Sequence, residues 1–234
     1  MSSIPQNLQV VHAQIIAAAQ SAGRDPQTIS LLAVSKTFGA DAVMEAASAG
    51  QVAFGENYLQ EALDKIEAIR VVQPDLLLEW HFIGPIQSNK TRPISERFDW
   101  VHSVEREKVA QRLAEQRPAH LPPLNVCLQV NVSGEASKSG VAPGELIALA
   151  QAVSGMPRLK LRGLMAIPEQ SGTFELQRGP FRQLRQLFDA LCAQGLALDT
   201  LSMGMSADMN AAIAEGATIV RVGSAIFGKR DYAR

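Results

Sequence analysis

The sequence predicts an α/β fold in which parallel strands alternate with helices, preceded by one additional N-terminal helix. Three observations carry this. Eight short apolar runs recur along the 234 residues, separated by segments with helical spacing. Leu31, Leu32, Ala33 and Val34 are apolar without alternation, as a strand covered on both faces must be. No composition shift, low-complexity stretch or Pro/Ser-rich linker divides the chain, so residues 1–234 read as a single domain. Such an alternation fits a closed (β/α)8 TIM-type barrel or an open doubly wound sheet, and periodicity does not separate the two.

The elements follow in order. Leu8, Val11, Ile15, Ile16 and Ala19 recur at helical spacing, and Gly23 stops the pattern. The strands are expected at Ile29–Ser35, Val52–Phe54, Trp80–Ile83, Trp100–Ser103, Val126–Asn131, Leu161–Ala166, Thr200–Met203 and Thr218–Val222. Between them, one helix has Asp41 in its first turn and Gly50 after it, where an acidic residue and a glycine favour the two ends. A second carries Leu59, Ala62, Leu63 and Ile66 on one face, and a third has Val109 and Leu113. A fourth is expected to start at Pro180, run through Phe181, Leu184, Leu187, Phe188 and Leu191, and end near Gly195. The polar breaks Ser133–Gly140 and Glu169–Gly179 read as surface loops.

Composition narrows the function classes. Hydrophobic residues make up 47 % of the chain, enough for a continuous core. A formal net charge of -1 argues against binding nucleic acid through nonspecific phosphate contacts. No apolar run is long enough to span a bilayer, and Met1 to Val10 lacks the pattern of a signal peptide, so a soluble cytoplasmic protein is expected. Cys127 and Cys192 have no Cys or His partner at metal-ligand spacing and read as buried free thiols, with no metal site.

The strand ends deliver the chemistry, because in barrels of this type the active site lies at their C-terminal side. The first ends in Ser35-Lys36-Thr37. If Lys36 points inward, desolvation lowers its pKa and its amine becomes nucleophilic toward an aldehyde; the other reading is a lysine that reaches out into solvent. Val222-Gly223-Ser224 offers a close-approach glycine and a hydroxyl that could cap a short helix and meet an anion; the same residues also make an ordinary strand-to-helix turn. In Ser202-Met203-Gly204-Met205-Ser206, capping of the next helix explains Ser206, while Ser202 is left as a ligand contact. Arg221 lies on the last strand, where it is either an inward fixed cation or a surface ion-pair partner. His81 and His102 fall near strand ends, where a satisfied structural histidine is the commoner role. No carboxylate pair or Ser-His-Asp arrangement is visible by spacing.

Six segments, taken together, match a family. Ala33 to Thr37, Phe54 to Tyr58, Trp80 to Lys90, Gly163 to Pro168, Leu201 to Ser206 and Arg221 to Gly228 resemble the pyridoxal phosphate homeostasis proteins, in order and through nearly the whole chain. The resemblance implies a (β/α)8 barrel like the N-terminal domain of alanine racemase. It implies pyridoxal 5′-phosphate as cofactor, carried as an aldimine on Lys36. It further implies that Ser202, Gly223 and Ser224 hold the phosphate, that Arg221 faces the pyridine nitrogen, and that Asn57, His81 and Met203 line the pocket. Two positions depart from the commoner family pattern. Ser224 stands where threonine is usual, which keeps the hydroxyl. Phe38 stands where a lysine or arginine is frequent, so a cofactor contact from a cation there is not implied.

The expected function is therefore intracellular homeostasis or transfer of pyridoxal phosphate, with little or no turnover, and with apoenzymes that use the cofactor as expected partners of a monomeric protein. The competing readings are an amino-acid racemase using the same cofactor and a Schiff-base aldolase without one. An arginine at the pyridine nitrogen disfavours its protonation and weakens carbanion chemistry. Racemisation also needs an acid/base on the second face of the substrate, which in alanine racemase comes from a partner subunit and a second domain; the chain is expected to lack that domain, since it ends at Arg234.

Overall fold

The structure, a computed structural model, describes residues 3–134, 139–169 and 172–228. Among these residues eight parallel strands close into a barrel in sequence order: β1 (Ser30–Val34), β2 (Ala53–Glu56), β3 (Glu79–Phe82), β4 (Trp100–Val104), β5 (Leu124–Gln129), β6 (Leu159–Met165), β7 (Thr200–Met205) and β8 (Ile219–Val222). Closure is made by β8 against β1, with Leu32 opposite Arg221 and Ala33 opposite Val222. Each expected strand is present, with ends shifted by at most two residues. The alternative of an open sheet is set aside by the β1–β8 pairing.

The helices cover the outside: α1 (Ile4–Ser21), α2 (Ala40–Ser48), α3 (Leu59–Val72), α4 (Thr91–Arg97), α5 (Glu107–Gln116), α6 (Leu146–Ser154), α7 (Phe174–Ala193), α8 (Met209–Ala214) and α9 (Ser224–Phe227). The additional helix α1 is held at its start by a capping box between Ser3 and Gln6. It buries Leu8, Val11, Ile15 and Ala19, while Ile16 faces solvent. Burial of each large side chain stabilises the fold by about 1.5–3 kcal/mol. Asn7 donates to the Ile226 carbonyl at 2.8 Å, which ties α1 to α9.

The core has two layers. Leu31 and Ala33 face the helices and join the large outer cluster, whereas Leu32 and Val34 face inward with Ile83 and Ile219. Trp100, Cys127 and Met165 form a second inner group. Gly55 fits closely there, since a Cβ would meet the Leu32 and Ile83 side chains at 3.2 Å and they would have to shift by a few tenths of an ångström.

Several local expectations are corrected. Helix α7 begins at Phe174, not at Pro180, because Thr173 caps it by accepting from the Leu176 N–H. Pro180 lies within the helix, where it removes one backbone donor and strains the turn before it. Ser206 is not the N-cap of α8; Asp208 occupies that position and its carboxylate accepts from the Met205 N–H at 2.5 Å. Ser224 is the first residue of α9, and Gly223 is its N-cap. Lys65 replaces Leu63 on the buried face of α3. Cys127 is buried, while Cys192 is only half-buried. The two surface loops fall partly outside the described residues, at 135–138 and 170–171. Among the described residues, no helix is long and apolar enough to cross a membrane.

Candidate functional site

A cavity of about 620 Å³ opens at the C-terminal mouth of the barrel, over the β8–β1 seam. Lys36 enters from the end of β1, Asn57 from the end of β2, Ser206 from the loop after β7, Arg221 from β8, and Gly223 and Ser224 from the turn into α9. Val34, Ile83, Ile167, Phe38 and Met205 supply apolar walls. Phe38 packs on Phe227 with ring centroids 5.2 Å apart, so its position contributes an aromatic surface instead of a cation.

The segment carrying Lys36 is fixed from behind. Glu56 at the end of β2 is fully buried and meets the Lys65 ammonium at 2.6 Å. Lys65 also donates to the Ser35 carbonyl at 2.8 Å, and the Ser35 hydroxyl donates to Glu56 at 2.6 Å. One residue beyond Lys36, Thr37 adopts a left-handed backbone (φ 70°), uncommon for a β-branched residue. Its N–H is held by Glu61 at 2.6 Å, and Glu61 is itself 3.3 Å from Lys65. Backbone strain of this kind persists only where the surroundings over-determine it. Burial raises the Glu56 pKa, and the Lys65 charge works against that rise.

Arg221 is held differently. It is 4 % exposed, with one guanidinium nitrogen donating to the Ser202 carbonyl at 2.6 Å and to the Ser202 hydroxyl at 2.9 Å, and the other to the Ala166 carbonyl at 2.9 Å. Of its five N–H groups these three bonds leave two for the cavity it lines. Burial pushes the guanidinium down to about 10, so it stays charged at neutral pH. Asn57 adds an acceptor: its side-chain Oδ1 is buried without a hydrogen-bond partner. A buried orphan of this kind costs about 1–3 kcal/mol, which a bound donor would recover. Glycines keep the frame close: a Cβ on Gly84 would sit 2.1 Å from the Asn57 carbonyl, and one on Gly223 3.0 Å from the Val34 carbonyl.

Comparison with known proteins settles the relationship. Residues 7–231 match the family described as alanine racemase, N-terminal domain. The pyridoxal phosphate homeostasis protein of Pseudomonas aeruginosa is 64 % identical over 232 residues, which are 99 % of this chain and 98 % of that one. The chain belongs to the pyridoxal phosphate homeostasis protein family. The Escherichia coli K12 member is 53 % identical over the full length of both chains. The solved structure of PipY from Synechococcus elongatus with PLP bound is 39 % identical, with a TM-score of 0.79 over 93 % of this chain and 100 % of that one. Alanine racemase from Corynebacterium glutamicum, at 19 % identity and a TM-score of 0.65, shares the barrel over 97 % of this chain and 62 % of its own.

Of the residues expected from the family resemblance, the cavity gathers Lys36, Asn57, Arg221, Gly223 and Ser224. Ser202 lies beneath it, fully buried against Arg221 and His102. Met203 is buried in the outer core between barrel and helices, and Met205 takes the place expected of it. Strand alternation gave the signal: with Ser202 turned inward, Met203 must turn outward. His81 is buried near the opposite mouth, bonded to Glu79 and His102. Ser206, Ile83, Ile167 and the Glu56–Lys65 pair were not foreseen as site residues. The segment Phe54 to Tyr58 drew attention to Glu56, but nothing in the spacing announced a buried lysine on α3.

Proposed function

We propose that this chain binds pyridoxal 5′-phosphate in the C-terminal cavity as a Schiff base on Lys36, within one domain spanning residues 1–234. We further propose that it holds or passes on the cofactor, with little turnover, and serves apoenzymes that need it. The observation that carries the reading is the convergence, in one cavity, of an amine, a buried cation, an unpartnered carbonyl acceptor and two hydroxyls. These are Lys36, Arg221, Asn57 and the pair Ser206 and Ser224. That set fits the cofactor's aldehyde, ring nitrogen, ring hydroxyl and phosphate in turn. The family's name and the PLP-bound PipY structure support the same assignment.

When bound, the cofactor's protonated ring is what stabilises an adjacent carbanion. Arg221 only donates and stays charged, so its remaining N–H groups favour an unprotonated ring nitrogen and weaken that chemistry. The apolar walls exclude water from the attachment point, and the backbone around Ser35 and Thr37 keeps Lys36 at the edge of the cavity.

Borohydride reduction followed by mass spectrometry tests the assignment. The adduct is expected on Lys36, and Lys36→Ala should abolish the near-visible absorption band. A dominant adduct on Lys90, or on Lys138 outside the described residues, would overturn it. Rapid α-deuterium exchange with full racemisation of L-alanine would replace the carrier reading with that of an enzyme.

A further inference from the structure

Below the cavity, an unbroken line of buried polar side chains crosses the barrel interior. Arg221 on β8 donates to the Ser202 hydroxyl on β7 at 2.9 Å. Ser202 is 2.8 Å from Nδ1 of His102 on β4, and Nε2 of His102 is 2.9 Å from Nδ1 of His81 on β3. Nε2 of His81 is 2.7 Å from the carboxylate of Glu79 at the start of β3. Ser202 and His102 are wholly buried and His81 is 1 % exposed, whereas the Glu79 side chain is 46 % exposed at the N-terminal mouth. There it lines a second cavity with Trp100, Arg162 and Asp199.

The direction of every proton in this line is fixed from the Glu79 end. A guanidinium can only donate, so the Ser202 oxygen accepts from Arg221; with two lone pairs it can also accept from His102, so this end alone leaves the His102 tautomer open. A carboxylate can only accept, so His81 carries its proton on Nε2. Burial holds both imidazoles neutral, His102 the more strongly because His81 and the Arg221 charge oppose its protonation. A neutral imidazole has one donor and one acceptor, so His81 Nδ1 accepts from His102 Nε2 and His102 Nδ1 accepts from Ser202. The Ser202 proton therefore goes to His102, which the bond from Arg221 permits, and all the donors point from Arg221 toward Glu79. The stack of His81 on Trp100, with ring centroids 5.3 Å apart and planes at 5°, holds one ring in the orientation the line needs.

We propose that Ser202, His102, His81 and Glu79 are positioning residues for Arg221. The carboxylate at the far mouth polarises the line and thereby fixes which guanidinium N–H groups are left for the ligand in the C-terminal cavity. The proposal rests on the cofactor reading above only for the identity of that ligand; the arrangement itself belongs to the protein alone. The other charged groups around Glu79 are Asp99, just before β4, and Arg162 on β6.

Nitrogen-15 NMR of protein freed of ligand reads the line directly. His81 and His102 are both expected as neutral Nε2–H tautomers at neutral pH. Glu79→Ala should mix the tautomers of both rings and speed solvent exchange of the Arg221 N–H groups. It should also weaken binding of added pyridoxal 5′-phosphate about 2- to 10-fold, the size of one hydrogen bond. Glu79→Gln keeps an acceptor for His81 and should restore all three readouts, which a general loss of stability would not do. A cationic or Nδ1–H His102 in the unaltered protein would overturn the proposal. So would tautomers, N–H exchange and affinity that stay unchanged in Glu79→Ala. If the unaltered protein forms no borohydride-stable adduct, the cofactor reading fails, while the tautomers still decide the fate of the relay.

Discussion

Two buried cations stand beside the cavity, and they are satisfied in opposite ways. Lys65, behind β1, lies 2.6 Å from one carboxylate and 3.3 Å from another. Arg221, inside the barrel, touches two carbonyls and a hydroxyl, with no carboxylate in contact. The first charge is cancelled where it sits, so its work is mechanical: it pins the Ser35 backbone and, through Glu61, the strained turn at Thr37. The second charge is contacted by dipoles, with Asp208 acting on it only across a distance, so much of its field remains available to whatever enters the cavity. A buried cation with a carboxylate in contact serves the frame, and one without leaves its field open to the cavity.

Removing the charges one at a time is the strongest way to break this contrast. Lys65→Met leaves Glu56 charged, buried and unpaired, and should cost about 3–5 kcal/mol of stability in denaturant unfolding. Adding Glu56→Gln should recover part of that loss. Arg221→Met strands only neutral carbonyls and a hydroxyl, and should cost visibly less stability while weakening cofactor binding more. Equal stability losses for the two would sink the comparison.

Acid comes next in size, because the histidines beneath Arg221 are buried neutral. Their folded pKa values lie below the unfolded value, so the unfolded chain binds more protons and stability falls as pH drops below about 6.5. Each histidine contributes a slope of about 1.4 kcal/mol per pH unit between its two pKa values. Glu56 has the opposite sign: its raised folded pKa favours folding at low pH, and that contribution is lost as pH rises through the carboxylate range. Melting temperatures from pH 8 to about 5 should therefore fall, and His102→Gln should flatten the curve. A flat curve for the unaltered protein would show that the ring environment is wetter than its burial indicates.

Ser202→Ala probes the finest difference. It removes one of the three bonds holding Arg221 together with the bond from Ser202 to His102, and should cost about 1–3 kcal/mol by denaturant titration. A cost at the level of Lys65→Met would mean that Arg221 depends on a single partner after all.

The fold was legible because burial on both faces leaves unbroken apolar runs such as Leu31 to Val34, and helices between them force parallel strands. Closure was legible only through the family resemblance, since no local pattern encodes that β8 returns to β1. At the site, Lys36, Gly223 and Ser224 were readable as polar or small residues ending apolar strands. Met203 was misplaced because a motif carried by resemblance ignores which face each residue takes. Lys65 and the Glu79–His102 line were unreadable for a different reason. Their meaning lies in partners brought from other strands and helices, and a lone buried lysine or histidine has no signature in sequence.

The β8–β1 seam has a consequence for the order in which the protein comes into being. Lys36 is translated well before Arg221, Gly223 and Ser224, and the cavity lies between them. A chain without β8 would carry Lys36 without the walls that β8 and the turn into α9 supply. Contacts between the two ends of a chain also form late and slowly in folding. The cavity between them is therefore complete only once β8 has been made and has paired with β1.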